Sequence, residues 1–112
     1  MGLLDKIKKS VELKQSTPNL ESIKNTEHKI IQLKKQFEKN PDNCKILTEL
    51  YTCYVEISDT EKKIECLKNI SKLSPDDSYS FQQLADIYLN ELDDVAQAQI
   101  YQKYANKIKN SF

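Results

Sequence analysis

The string Asn40-Pro41-Asp42-Asn43 returns, at an offset of 34, as Ser74-Pro75-Asp76-Asp77. The same offset pairs Leu47 with Phe81, Leu50 with Leu84 and Tyr54 with Tyr88. Run backwards, it pairs Ile64 with Ile30, Leu67 with Leu33 and Pro75 with Pro41. A period of this length is the mark of a stacked array. One unit is too small to bury its own apolar face and must cover it with the next. This constrains the chain more than any other feature, because it replaces a single central core with a row of neighbour contacts.

Each unit reads as two helices. In the first, Leu47, Leu50, Tyr51, Tyr54, Val55 and Ile57 recur at helical spacing, and Ile64, Leu67, Ile70 and Leu73 form a second stripe. In the second unit the corresponding runs are Tyr79, Phe81, Leu84, Ala85, Tyr88, Leu89 and then Ala98, Tyr101, Ala105, Ile108. Asn40 and Ser74 are expected as N-caps with Pro at the first helical position, and Asp42, Asp76 and Asp77 in the first turn, where the helix dipole favours negative charge. Ser58 with Glu61 three positions on reads as a capping box for the second helix. Leu73 maps onto Ile108 only with one extra residue in the second unit, expected around Leu92-Asp93. A further helix over about 19–39, with Leu20, Ile23, Ile30, Leu33 and Phe37, matches the second half of a unit, and Thr17-Pro18-Asn19 marks its start. Residues 3–15 set Leu3, Leu4, Ile7 and Val11 on one side, with Lys6, Lys8, Lys9 and Lys14 mostly elsewhere. The organisation expected is an N-terminal amphipathic segment over 1–16, then a domain over 17–112 made of a half-repeat (19–39) and two repeats (40–73 and 74–109).

Composition narrows the chemistry. The 112 residues contain one Gly, so Gly-rich phosphate loops and dinucleotide folds are excluded. The 17 basic residues are all Lys and are balanced by 17 acids. Zero net charge without Arg argues against a nucleic-acid partner. Cys44, Cys53 and Cys66 are odd in number and sit within helical patterns, which points to a reduced, cytoplasmic compartment rather than a disulfide framework. His28 is the single His and lies in a polar stretch, so a solvent-facing role is expected. No Cys-x-x-Cys or paired-His spacing is present, and neither a metal nor another cofactor is expected. No nucleophile stands beside a base, and an enzyme is not expected.

At this point the residues resemble the tetratricopeptide repeat family, which uses a 34-residue helix–turn–helix unit. The matching residues are Leu47, Leu50, Tyr54, Leu67 and Pro75 in the first unit, and Phe81, Leu84, Ala85, Tyr88, Ala98 and Ala105 in the second. The repeats are degenerate. Tyr51 and Lys63 occupy places where the family has small residues, Ile70 replaces an Ala, and Gln102 replaces an aromatic. Ser58 and Leu92 stand where the turns carry Gly. Bulk at positions 51, 63 and 70 is expected to widen the packing locally. The resemblance implies an all-α, TPR-like right-handed superhelix of about six helices. Two and a half repeats are marginal alone, which favours support from the N-terminal segment or from a homodimer.

The resemblance also implies where a partner would bind. In such superhelices the first helix of each unit lines a groove that takes a peptide or helix. Here the lining would be Lys45, Thr48, Glu49, Thr52 and Glu56, then Tyr79, Gln82, Gln83, Asp86 and Asn90. Thr48, Thr52 and Gln83 stand where a clamp for a C-terminal carboxylate would need Lys or Asn, so that subclass is rejected. The expected job is a non-enzymatic adaptor or scaffold. The alternatives are homo-oligomeric assembly through exposed terminal helices, with Ile100, Tyr104 or Ile108 uncovered, and membrane attachment through residues 1–15. Charge is polarised: residues 1–39 carry nine Lys against five acids, and the rest is net acidic.

Overall fold

Asn43 and Asp77, equivalent positions in successive repeats, start two helices in the same way. Asn43 Oδ1 accepts from the N–H groups of Lys45 and Ile46 at 3.0 and 3.3 Å, and Asp77 Oδ1 accepts from Tyr79 N–H at 3.0 Å. Each satisfies backbone donors that the first helical turn leaves without partners. The computed structural model describes residues 20–111 as five helices: α1 (Leu20–Lys39), α2 (Cys44–Glu56), α3 (Thr60–Leu73), α4 (Ser78–Asn90) and α5 (Val95–Ser111). No strand occurs among the described residues. The sixth helix expected, over residues 3–15, and the Thr17-Pro18-Asn19 start lie outside the described residues.

The caps correct the expectation. Asn40 and Ser74 are not N-caps, and Pro41 and Pro75 are not first helical residues. Each Pro instead takes the second place of a four-residue turn, closed by Asn43 N–H to Asn40 C=O and by Asp77 N–H to Ser74 C=O, both at 3.1 Å. Its fixed φ suits that place. The acids at 42, 76 and 77 therefore precede their helices rather than occupying the first turn.

The Ser58 capping box is likewise replaced. Ser58 has a φ of 58°. Its N–H reaches Val55 C=O at 3.1 Å, and the Asp59 N–H reaches Tyr54 C=O at 2.9 Å. This pair of bonds is the Schellman ending, with Ser58 in the left-handed position that normally calls for Gly. Asp59, the next residue, caps α3 by accepting from Lys62 N–H at 3.1 Å. The second turn is one residue longer, as the mapping of Leu73 onto Ile108 requires. Asp93, not Leu92, takes the left-handed φ of 54°. Asp94 N–H reaches back to Tyr88 C=O at 2.8 Å, and the Asp94 carboxyl caps α5 through Gln97 N–H at 3.1 Å.

Among the described residues each helix packs only against its neighbours in the chain: α1 on α2, α2 on α3, α3 on α4, α4 on α5. The core runs along these contacts. Ile30 and Leu33 of α1, Ile46, Leu50, Cys53 and Tyr54 of α2, Cys66 and Leu67 of α3, and Leu84 and Ile87 of α4 form one cluster along the row. Leu67 and Leu84 are fully buried. Between α4 and α5 the filling is aromatic, with Tyr88 and Tyr101 stacked at 5.6 Å and Phe81 against Tyr104 at 5.7 Å. This is the one-dimensional stacking of an all-α helical-repeat superhelix.

Two outcomes follow. Leu67→Ala or Leu84→Ala costs about 2–5 kcal/mol in urea unfolding, from lost transfer energy plus the cavity left behind. Ser58→Gly raises stability by about 0.5–1 kcal/mol, because the left-handed backbone no longer carries a Cβ penalty; an unchanged or lower urea midpoint would contradict the Schellman geometry.

Candidate protein-interaction site

The wall expected from the first helix of each unit is carried by α2 and α4. On α2, Lys45, Thr48, Thr52 and Glu56 are exposed and Glu49 is half-buried. Thr48 and Thr52 donate back to the carbonyls of Cys44 and Thr48 at 2.9 and 3.1 Å, so their hydroxyls serve their own helix. Glu56 accepts from the Thr26 hydroxyl of α1 at 2.9 Å. On α4, Tyr79 is 51% exposed, Asn90 is exposed, and Gln82, Gln83 and Asp86 are half-buried. Gln83 Oε1 accepts from the Tyr51 hydroxyl at 3.3 Å and so links α4 to α2. Gln82 turns to α5. It exchanges two bonds with Gln102 at 2.8 and 2.9 Å, donates to Asp86 at 3.2 Å and accepts from Lys109 at 2.8 Å. The side chains of Lys45, Glu49, Tyr79 and Asn90 have no hydrogen-bond or ion-pair partner among the described residues.

The bulky replacements are accommodated by polar reach. Tyr51 is buried, and its hydroxyl spans to Gln83; burial pushes its pKa up, helped by Tyr79. Lys63 is 8% exposed. Its ammonium leaves the core at the tip and meets the Glu91 carboxylate at 2.7 Å, where the Thr60 hydroxyl also donates at 2.7 Å. The Lys63 hydrogen bond, followed by that of Thr60, holds the Glu91 carboxyl below its ordinary pKa against the opposing effect of desolvation. Sequence reasoning named Lys63 as a departure but missed Glu91, whose only sequence signal is an acid at the end of a helix.

The remaining reactive groups are quiet. Burial, then the Glu65 charge, pushes the Cys66 thiol up to about 12, and burial raises Cys53 as well, so neither is a ready thiolate at neutral pH. Cys44 is half-buried, with its sulfur 3.3 Å from the Ser74 hydroxyl. His28 is exposed. Ser80 is fully buried on α4 and its hydroxyl has no partner among the described residues; it holds the packing position that Ile46 fills in the preceding repeat. Among the described residues no group of three His, Cys, Asp or Glu side chains could hold a metal ion, and no helix is long and apolar enough to cross a membrane.

Residues 2–104 match the family model described as "Tetratricopeptide repeat protein 21 ARM repeat", which spans most of the chain. No curated protein matches the sequence.

The Lys63–Glu91 contact gives a directional prediction. Glu91→Ala leaves the ammonium of the mostly buried Lys63 unpaired and costs about 1–3 kcal/mol, whereas Lys63→Met costs less than about 1 kcal/mol, because an apolar chain of similar length fits the same slot. Since the folded-state pKa of Glu91 is depressed, its contribution is fully present above the ordinary Glu value of ~4.3 and is lost as pH falls through the folded value. Urea unfolding from pH 7 downward should show the wild type losing more stability below pH ~4.3 than Glu91→Gln does; equal losses would contradict the pairing.

Proposed function

The chain belongs to this tetratricopeptide-related helical-repeat family, and from that premise we propose that it is a non-enzymatic interaction module. It binds a peptide or helix of a protein partner along α2 and α4. The observation that carries the reading is the set of unpartnered polar side chains on these two helices, Lys45, Glu49, Tyr79 and Asn90, beside the Tyr51–Gln83 link that ties the two helices together. Tyr79 is the anchor. It offers a large flat area with little side-chain entropy to lose and a hydroxyl at its tip. Glu49, Glu56 and Asp86 outnumber Lys45, so a partner segment with Lys or Arg among polar residues is favoured. The rigid backing of α3 and α5 holds the wall in shape before binding, which keeps the ordering cost low. Neither metal nor cofactor enters this role, and a cytoplasmic setting suits the unpaired thiols.

The test is capture on the immobilised full chain from its native source, followed by a measured affinity for the partner identified. Tyr79→Ala combined with Asn90→Ala should weaken that affinity by about 30-fold or more, the loss expected of a central anchor. The helical circular dichroism and urea midpoint should stay unchanged, since both side chains lie in solvent. Unchanged affinity would sink the wall as the binding site.

A further inference from the structure

The internal junction shows what the far end lacks. At the α3–α4 contact, Thr60 and Lys63 of α3 grip Glu91, and Tyr51 of α2 reaches Gln83. The equivalent positions at the end of the row are Val95 and Ala98 on α5, offset by 35, and Ala85 on α4, offset by 34. Ala85 and Ala98 are buried, whereas Val95 is half exposed. They line an open depression of ≈ 260 Å³ with Asp86, Leu89 and Gln99. The groups that held a carboxylate have become apolar, so the surface does not ask for another copy of α4 with its acid.

A second observation concerns the outer face of α5. On α3, the corresponding face carries Glu61, Glu65 and Lys68 in water. On α5 the same places hold Ala96, Ile100 and Lys103, and Tyr104 replaces Asn69. These residues line a second depression of ≈ 690 Å³, which shares Gln99 with the first. Ile100 is 47% and Val95 50% exposed. The terminal helix has thus exchanged two of its three solvent-facing charges for apolar groups. That is the composition of a surface that is covered in use. Asp86 in the first depression and Asp93 and Asp94 in the adjoining turn outnumber Lys103, which lines the second.

We propose that this end of the molecule docks residues 3–15 of a second copy. That segment is the complementary piece of the same sequence. Leu3, Leu4, Ile7 and Val11 fall at helical spacing, and Lys6, Lys8, Lys9 and Lys14 outnumber Asp5 and Glu12. The apolar side chains fill the depression around Leu89, Val95 and Ile100, and the Lys residues meet the acids at its margin. The contact is heterologous: one end of each chain binds the other end of the next, so copies add in a row and continue the stack. Asp86 lines both surfaces, but Lys45, Glu49, Tyr79 and Asn90 of the wall lie outside the depression and stay open to the partner proposed above.

Sedimentation of the full chain from micromolar to millimolar concentration tests this. The average mass should rise above that of one chain and fall back as salt is added. Leu89→Lys with Val95→Lys removes one side of the contact at solvent-exposed positions, and Leu4→Glu with Ile7→Glu removes the other. Each double variant alone should sediment as a single chain with unchanged helical circular dichroism. Mixed together they should form a dimer and nothing larger, since one intact depression then meets one intact segment. Tyr79→Ala should leave association as in the wild type. A chain that stays single at every concentration overturns the proposal, as does association that survives either double variant, or a mixture that forms no dimer.

Discussion

The contact between α3 and α4 joins the first three helices to the last two, and the rest of the structure depends on it. Each described helix packs only against its neighbours in the chain, and beside that joint the first three helices meet the last two, among the described residues, only through the Tyr51–Gln83 bond from α2 to α4. The joint is made of fully buried Leu67 and Leu84 in the centre and the Lys63–Glu91 pair with Thr60 at one margin, with the Tyr51–Gln83 bond beside it. Apolar burial supplies the energy there, while the polar contacts fix how the two halves sit relative to one another. The shape of the wall formed by α2 and α4 is set by that registration.

Two degenerate positions of the repeat, Tyr51 and Lys63, meet at this joint. A small side chain at 63 would allow close approach with no partner needed. Lys63 fills the place with its stem and then requires a carboxylate at its tip, which Glu91 provides. The repeat has exchanged a purely steric contact for one that also depends on pH. The terminal unit makes the opposite exchange. Ala98 and Val95 restore small or apolar groups at the equivalent places, and Gln102, where the family carries an aromatic, joins Gln82 in a reciprocal amide pair between α4 and α5. The two halves are therefore not copies in chemistry although they are copies in geometry.

The helices and their most buried positions were legible in the sequence, because Leu50, Tyr54, Leu67 and Leu84 recur at both the helical period and the longer period of the repeat, but Val55, Leu73, Tyr79 and Leu89 of the same apolar runs are exposed. The helix ends were not. Asn40 and Asn43 are equally good caps within one turn of each other, and the choice falls to the turn hydrogen bond that Pro41 favours. Ser58 and Asp59 are likewise both cap formers, and only the left-handed backbone at Ser58 makes Asp59 the cap. The Lys63–Glu91 pair was invisible because its partners lie on different helices, far apart in the chain, and neither signals the other. On the wall, Tyr79 and Lys45 were placed by the resemblance to the repeat family, and both are exposed. The turn of Gln82 toward Gln102 and Lys109 did not, since an amide on a helix surface carries no mark of which neighbour it will find.

A stack held by neighbour contacts opens in segments rather than all at once. Native-state hydrogen exchange of the backbone amides reads this directly. The account predicts that amides of α4 and α5 share one opening free energy, distinct from the value shared by α2 and α3, with the division falling at the turn between Leu73 and Ser78. A single common value across all five helices would contradict it, because the α3–α4 joint would then be no weaker than the contacts within each half.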